Sequence, residues 1–492
     1  MEFFLEQLQT NLKLYSKNIA FHIEGVSYTY AELERKIAAI QKKILEINDQ
    51  QYFGVITRNS LETYATIFAL WFSGKTSVPL GDKSPKDRNQ NIIDQVNILT
   101  VFDSSDNPES FEGVTTLSPS RFVPVEVGVI LTETPPDTDL YLLFTSGSTG
   151  IPKGVRISRK NLNSHLEAFS NCGHQLDSSD KCLDIYEITF DASVQCYTFP
   201  LLRGASVYTL PEGEIKFLSI PKVLRQHEIT FVKMTPSVIY YLQAYFNKIN
   251  LPKLRYCLFG AEALPVELVK KWEKCIPNAE IHNVYGPTEA TVNCTSYKWK
   301  RNSENKSRNG ITSIGKPYLK MKAIVCDNEL NEVPTGVSGE LCLAGPQVTK
   351  GYWKNPGNDA NVFFFREIEN KQYRFYRTGD LVMKDEDDDI MFIGRLDSQV
   401  QVDGYRVELG EIEYHANRFT GTKCVALAVT ANEYMVTIAL FVESVKNNTD
   451  EVLGYLRNHI PAYMIPGKVI FMEQIPLLSS GKTDRKKLLT MV

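Results

Sequence analysis

Between Ser27 and Leu80 the hydrophobic pattern switches repeatedly between the two periods a folded chain can use, and this restricts the fold more than any other feature. SYTYAELERKIAAIQKKILEI, from Ser27 to Ile47, places apolar residues at helical spacing after a short strand. YFGVITR reads as a strand, LETYATIFALWFSG as a helix ending at Gly74, and KTSVPL as the next strand. Such alternation predicts helices layered on largely parallel sheets. From about Ile311 it stops. MKAIVCD, GELCLAG, YRFYRTGDLVMK and DIMFIGR are strand-like pieces separated by turns, which predict an antiparallel, barrel-like subdomain. The acidic run Asp385 to Asp389 lies between two of them and is expected to be a solvated hairpin turn rather than a metal site. The last hundred residues carry two helical patterns, VELGEIEYHANRF and EVLGYLRNHI, the second stopped by Pro461, and two strands, CVALAVT and MVTIALFVE. The fold class expected is therefore α/β: a large N-terminal domain of layered α/β sheets with a β-barrel-like subdomain, then a small α+β C-terminal domain. The boundary is expected near GRLDSQ, giving domains 1–395 and 396–492.

Length agrees with that division, since 492 residues exceed what one hydrophobic core usually serves. A formal net charge of -4 gives no field that would draw the chain to nucleic acid or an anionic membrane. The nine cysteines contain no CxxC and the seven histidines no HExxH, so neither a disulfide framework nor a zinc site is suggested. The first fifteen residues mix acidic with apolar side chains and do not resemble a signal peptide, and no run of 18 apolar residues occurs. A reduced, cytoplasmic protein is expected.

YLLFTSGSTGIPKGV (141–155) ends an apolar run on glycines, hydroxyls and one lysine, a composition that turns backbone N–H groups and a point charge toward an anion. Spacing removes several anion-binding motifs. Lys153 follows Pro152 rather than Gly, so the Walker pattern fails. Gly147 and Gly150 have no glycine between them, so GxGxxG fails. No glycine lies two residues before Ser148, so GxSxG fails. A Gly/Ser-rich surface turn would share the composition.

The complete string TSGSTGIPKG, however, resembles the phosphate loop of the adenylate-forming enzymes: acyl-CoA synthetases, luciferases and amino-acid adenylation domains. SYTYAEL (27–33), FSGKTSVPLGDKSPKDR (72–88), FDAS (190–193), NVYGPTEAT (283–291), GELCLAG (339–345), YRTGDL (376–381), GRLDSQVQVDGYRVELGEIE (394–413) and LLSSGKTDRKKL (477–488) resemble that family's motifs in its order. Within it, NVYGPTEAT and VELGEIE look like amino-acid adenylation domains of peptide synthetases and free-standing relatives such as D-alanine–carrier protein ligase. The resemblance implies a two-step reaction. An amino-acid carboxylate attacks the α-phosphorus of ATP, giving aminoacyl-AMP and pyrophosphate, with Mg2+ on the phosphates. The phosphopantetheine thiol of a carrier protein then takes the aminoacyl group and releases AMP.

Residue roles follow from the same resemblance. Thr145, Ser146, Gly147, Ser148, Thr149 and Lys153 would bind the phosphates of ATP. Asn283 would meet the adenine edge and Tyr285 its face, with Val284, Gly286 and Pro287 also binding ATP. Thr288 would touch the α-phosphate and Glu289 would bind magnesium. Asp380 would hold the ribose hydroxyls, near Phe392 and Arg395. Asp397 would be the hinge of a mobile C-terminal domain that delivers the catalytic Lys482. Ser480 stands where the family string usually has Asn, a departure that touches the turn and not the lysine.

For the amino acid, the resemblance implies that Asp191 pairs with the α-ammonium, a group that fatty and aryl acids lack. The pocket would be lined by Asp191, Ala192, Gln195, Lys233, Leu258, Gly260, Val284, Val292, Asn293 and Lys482, with Gly260 leaving room at its floor. Gln195, Lys233 and Asn293 make it polar, so a glutamate-, glutamine- or aspartate-like side chain is expected, with D-alanine or another small amino acid next. Glutamine and glutamate patterns usually carry acids where Lys233 and Asn293 stand, and Lys233 could instead snorkel outward or pair with a neighbouring acid. No carrier domain follows Lys482, so the thiol is expected in trans; an excised module would look the same. The rival readings are an acyl- or aryl-CoA synthetase using free coenzyme A, and a catalytically inactive adenylate-binding scaffold. Asp191 speaks against the first; Lys153, Glu289, Asp380 and Lys482 speak against the second.

Overall fold

A computed structural model describes residues 4–47, 50–123, 125, 128–147, 151–396, 399–432, 435–445, 448–477 and 483–492. Ser148, Thr149, the hinge candidate Asp397 and the catalytic candidate Lys482 lie outside the described residues.

The alternation in the first half produces two large, mostly parallel sheets. In one, the strands run in the order 316–317, 295–298, 280–285, 256–259, 231–234, 181–184, 206–209, 19–23, 26–29. The six from 280–285 through to 19–23 pair in parallel, and the antiparallel strands close the ends. The other has the order 115–117, 100–102, 52–56, 76–80, 139–145, 153–158. Strands such as Thr76–Leu80 and Tyr256–Phe259 are buried along their whole length, as parallel strands covered on both faces must be. The helices start where their sequences say. Thr29 and Glu32 form a capping box at Tyr30–Glu46, Ser60 caps Leu61–Phe72, and Ser158 with Asn161 boxes Arg159–Ser170. Each such cap satisfies amide donors that the first helical turn leaves without a partner.

After residue 311 the pairing is antiparallel, as the change of pattern predicts. Strands 322–326, 338–344, 371–384 and 363–368 pair in that order, and 390–395 pairs with the far end of 371–384. The acidic turn is indeed a hairpin connection, but it is less solvated than its composition suggests. Lys306 Nζ lies 2.8 Å from Asp385, 2.8 Å from Asp387 and 2.6 Å from Asp389, and these carboxylates push its ammonium well above the usual range. An ammonium occupies the position a cation would take.

The chain divides into two compact units. The first comprises 1–82, 93–143 and 154–396; the second gathers 83–92, 144–153 and 397–492. The C-terminal part of the second is α+β. A three-stranded sheet of 424–432, 435–443 and 468–472 is accompanied by the helices Leu409–Thr420, Thr449–Arg457 and Arg485–Leu489. Its core holds Val407, Ile412, Leu440 and Leu456. All nine cysteines are free thiols. Among the described residues no helix is long and apolar enough to cross a membrane.

Candidate active site

Four neighbouring parallel strands carry the site in the first unit. Strands 181–184, 231–234, 256–259 and 280–285 pair side by side, with Lys233 opposite Leu258 and Phe259 opposite Asn283. Their carboxyl ends lead into the candidate residues: Asp191 after the first, Lys233 within the second, Leu258 and Gly260 at the third, Asn283 to Glu289 at the fourth. Crevices outside such strand ends are where open α/β sheets bind ligands.

Asp191 opens the helix Asp191–Leu202, whose N-terminal amides favour a negative charge. Burial nevertheless raises its carboxyl to about 6. The nearby Lys233 and hydrogen bonds from the Thr288 hydroxyl and the Val292 amide act in the opposite direction, while Glu289 adds to the rise. Its Oδ2 is buried and has no hydrogen-bond partner among the described residues. A buried carboxylate oxygen without a donor is costly unless a ligand supplies one.

Lys233 lies in a strand whose four residues are all buried, and it is 2% exposed. It does not snorkel outward. Its ammonium donates to Gln195 Oε1 at 3.0 Å and Asn293 Oδ1 at 3.1 Å, and Asn293 Nδ2 donates to the same Gln195 oxygen at 2.8 Å. Burial lowers its pKa, while Cys196, Asp191 and Asp184 act to raise it. The Asn293 carbonyl accepts from Gln347 Nε2 at 2.7 Å and lies 3.1 Å from His165 Nδ1, which fixes the asparagine from behind. Burial and Lys233 together push His165 down to about 3, so it stays neutral. Two consecutive residues before Asn293, Thr291 (φ 57) and Val292 (φ 68), adopt the left-handed conformation. For β-branched side chains this is strained backbone of the kind that clusters at binding sites.

The glycine at 260 does not open the pocket floor. A Cβ there would fall 2.9 Å from the Val284 carbonyl oxygen and 3.7 Å from Lys233 Cε, so close backbone approach, not empty space, requires it. Ala192 follows Asp191 in the first helical turn, and Leu258, Val284 and Val292 are buried.

At the end of strand 280–285, Asn283 gives both amide hydrogens to backbone carbonyls, Thr312 at 3.3 Å and Ser313 at 2.9 Å. Its amide oxygen is then the atom that can serve a base, and an acceptor suits the exocyclic amine of adenine rather than the carbonyl of guanine. The Tyr285 hydroxyl donates to Asp380, whose other oxygen accepts from Arg395 at 2.7 Å. Asp380 and Arg395 are cross-strand partners, which holds the pair in place. A carboxylate oxygen can accept more than one donor, so this pairing is compatible with a ribose hydroxyl as a further one. Phe392 and Tyr285 pack on the edge of the main core. Glu289 is fully buried, and Tyr352 donates to its Oε1 at 2.6 Å. Gly286 permits the backbone to pass, since a Cβ would fall 2.6 Å from Asn293 Cα. Pro287 precedes the short 3-10 turn Thr288–Ala290.

The candidate phosphate loop falls in the second unit, and two of its donors, the Gly147 amide and the Lys153 ammonium, face carboxylates there. Gly147 N–H donates to Glu411 Oε2 at 3.2 Å, Lys153 Nζ lies 3.3 Å from Glu408 Oε1, and Arg88 pairs with Glu411. Ser146 Oγ donates to the Arg406 carbonyl at 3.0 Å and accepts from the Glu408 amide at 3.1 Å. The Thr145 hydroxyl reaches the Lys153 carbonyl at 3.5 Å. Carboxylate oxygens thus stand where an anion would. The sequence does not predict Glu408 and Glu411 as partners of this loop, or Arg88 as the partner of Glu411, although all three lie in the strings that carry the resemblance. Nor does it predict Tyr186 and Asp184 beside Lys233, or Tyr352 on Glu289; no local signal points to them.

Comparison with known proteins agrees with the geometry. The AMP-binding enzyme family model matches residues 8–353. The chain is 31% identical over 496 residues to gramicidin S synthase 2 of Brevibacillus brevis, covering 98% of this chain but only 11% of that protein. It is 29% identical over 487 residues to zwittermicin A synthase ZmaJ of Bacillus cereus, covering 96% of this chain and 91% of ZmaJ. Among solved structures, the Vibrio cholerae adenylation domain AlmE, in complex with glycyl-adenosine-5'-phosphate, superposes with a TM-score of 0.86 at 23% identity, over 99% of this chain and 97% of AlmE. The NRPS protein PA1221, which contains adenylation and PCP domains, gives 0.87 at 22% identity, over 100% of this chain and 84% of that one. These two share the fold: a large N-terminal and a small C-terminal domain. The family match covers well over half of the residues, and the chain belongs to the AMP-binding enzyme family, the adenylate-forming enzymes.

Proposed function

We propose that this chain activates a polar α-amino acid as its aminoacyl-adenylate and transfers it to the phosphopantetheine thiol of a carrier protein in trans. The observation that carries the reading is the buried Oδ2 of Asp191 at a helix N-terminus, next to Thr288 and without a hydrogen-bond partner among the described residues. An α-ammonium group supplies the missing donor and the missing charge; a fatty or aryl acid supplies neither. The peptide-synthetase relatives and the PCP-bearing structure support a carrier thiol over free coenzyme A.

In the first step a carboxylate oxygen of the amino acid bonds to the α-phosphorus, and the α–β phosphoanhydride breaks to release pyrophosphate. Asp191 orients the amino acid by its ammonium. Asn283, Tyr285 and Asp380 hold the adenosine end, and the 145–153 loop with Lys153 takes the β- and γ-phosphates. The Gly147 amide and Lys153 already pair with carboxylates, which supports their use for phosphate oxygens. Magnesium would be held by Glu289 and the nucleotide phosphates, where it would neutralise phosphate charge. Glu289 suits it as a buried carboxylate steadied by Tyr352. Among the described residues no group of three or more His, Cys, Asp or Glu could bind a metal by itself. In the second step the carrier thiol attacks the acyl carbon, loses its proton, and displaces AMP. The domains 1–395 and 396–492, with a hinge at Asp397, are the proposed division of this work.

The test is ATP–pyrophosphate exchange with each of the twenty amino acids and D-alanine, followed by transfer to a holo carrier protein or to coenzyme A. Exchange driven by a polar amino acid, with transfer only to the carrier, is the expected result. Leucine or phenylalanine as the best substrate would refute the polar pocket, coenzyme A as the better acceptor would favour the CoA-ligase alternative, and no exchange at all would leave a scaffold. Asn283→Ala is expected to raise the KM for ATP about tenfold, the loss of one well-placed hydrogen bond to the base, with the amino-acid KM unchanged. Initial rates with each substrate varied in turn check this.

A further inference from the structure

Resting on the amino-acid reading above, we infer that the side chain of the substrate carries a carboxylate, held by Lys233 and by the amide nitrogen of Gln195. The ammonium of Lys233 can only donate, so it fixes the oxygen of each amide toward itself: Gln195 Oε1 at 3.0 Å and Asn293 Oδ1 at 3.1 Å. Asn293 Nδ2 closes the ring by donating to the same Gln195 oxygen. Gln195 Nε2 is thereby turned away from Lys233. It is buried and has no partner among the described residues.

The hydrogen-bonding capacity that remains is one-sided. Lys233 keeps one N–H and Gln195 Nε2 two, whereas Gln195 Oε1 already accepts twice and Asn293 Oδ1 keeps a single lone pair. The Tyr186 hydroxyl, also buried without a partner among the described residues, belongs to a ring whose centre is 5.9 Å from Lys233 Nζ. A side-chain carboxylate is acceptor-only and answers this surplus of donors. A carboxamide would turn its own donors toward it, and an aliphatic side chain would leave every one of these groups unsatisfied.

Charge points the same way. The buried groups around Lys233 are Asp191, Asp184, Cys196 and the neutral His165. Once a bound α-ammonium neutralises Asp191, Lys233 keeps only Asp184, whose carboxyl burial pushes up to about 7 and so holds largely protonated below that pH. An acidic side chain gives each buried charge one opposite partner: ammonium with Asp191, carboxylate with Lys233.

The experiment is amino-acid-dependent ATP–pyrophosphate exchange by the whole chain, comparing aspartate and glutamate, in both enantiomers, with asparagine, glutamine and alanine. One of the acids is expected to exceed its own amide in kcat/KM by at least about thirtyfold, the effect of a desolvated charge pair. Lys233→Met is expected to abolish that ratio by lowering the acid far more than the amide. Asparagine, glutamine or alanine as the best substrate of the wild type overturns the inference while leaving amino-acid adenylation intact. Silence with every amino acid overturns the adenylation reading itself. If Lys233→Met fails to fold, the wild-type acid-to-amide ratio decides alone.

Discussion

Asp191→Asn is expected to lower kcat/KM for the amino acid by about a hundredfold or more, while the KM for ATP moves by less than about twofold. The magnitude is that of removing one member of a buried, hydrogen-bonded charge pair. Asparagine keeps the volume and the acceptor that faces Thr288 and Val292, so what disappears is the negative charge and not the packing. A pH profile separates this role from a structural one. The free carboxyl titrates at about 6, raised by burial, and only its ionised form can pair with an ammonium. The wild-type kcat/KM for the amino acid should therefore fall tenfold per unit as pH drops below about 6, and the variant should lack that limb. Stability moves in the opposite direction. Because the folded-state value lies above the unfolded 3.8, the folded chain binds more protons between about pH 4 and 6, and its stability declines as pH rises through that window. The asparagine variant should melt higher than wild type at pH 8, with the gap closing below pH 4. A variant that is both more stable and nearly inactive toward amino acid marks a carboxylate retained for binding.

Legibility in the sequence depended on distance along the chain. Strands and helices were legible because their signals are local: Thr29 and Glu32 cap one helix three residues apart, and the strand Thr76–Leu80 starts two residues after Gly74, just past the end of the helix before it. Candidate motif residues can be proposed together because a short string carries several of them at once, as NVYGPTEAT does for Asn283 to Glu289. Contacts made by pairing across a sheet left no such trace. Tyr186 and Asp184 meet Lys233 only because strand 181–184 lies beside 231–234, and Tyr352 meets Glu289 across 63 residues. Nor could the sequence choose between a lysine that snorkels outward and one that is buried; the choice belongs to a strand covered on both faces. Gly260 illustrates the same limit from the other side. A glycine in a pocket motif suggests room, yet the space its absent side chain leaves is closed by the carbonyl of Val284 on the next strand.

Lys482→Ala is expected to cut ATP–pyrophosphate exchange by at least about a hundredfold, the usual loss when one positioned electrostatic donor is removed from a developing charge. Lys482 lies outside the described residues, and its proposed role comes from the string SSGKTDRKKL. The competing explanation is a generic basic tail. The residues that follow weaken it, because their basic groups have distinct fates. Arg485 donates to Glu413 at 2.9 Å and to the Ala426 carbonyl at 2.9 Å, Asp484 caps the helix Arg485–Leu489, and Leu488 is buried in the C-terminal core. Of the basic side chains between 483 and 492, Lys486 and Lys487 are the exposed ones. Lys486→Ala and Lys487→Ala should therefore leave exchange within about twofold, because exposed charges of this kind contribute little. If a basic tail were all that mattered, each of the three substitutions would cost a similar, salt-sensitive fraction. The two half-reactions separate the roles further. A lysine that neutralises charge between the substrate carboxylate and the α-phosphate is needed while that bond forms and not when a thiol attacks the finished adenylate. Supplied with preformed aminoacyl-AMP, the Lys482→Ala enzyme should load a holo carrier protein at close to the wild-type rate. Equal loss in both half-reactions would assign Lys482 to folding or docking instead.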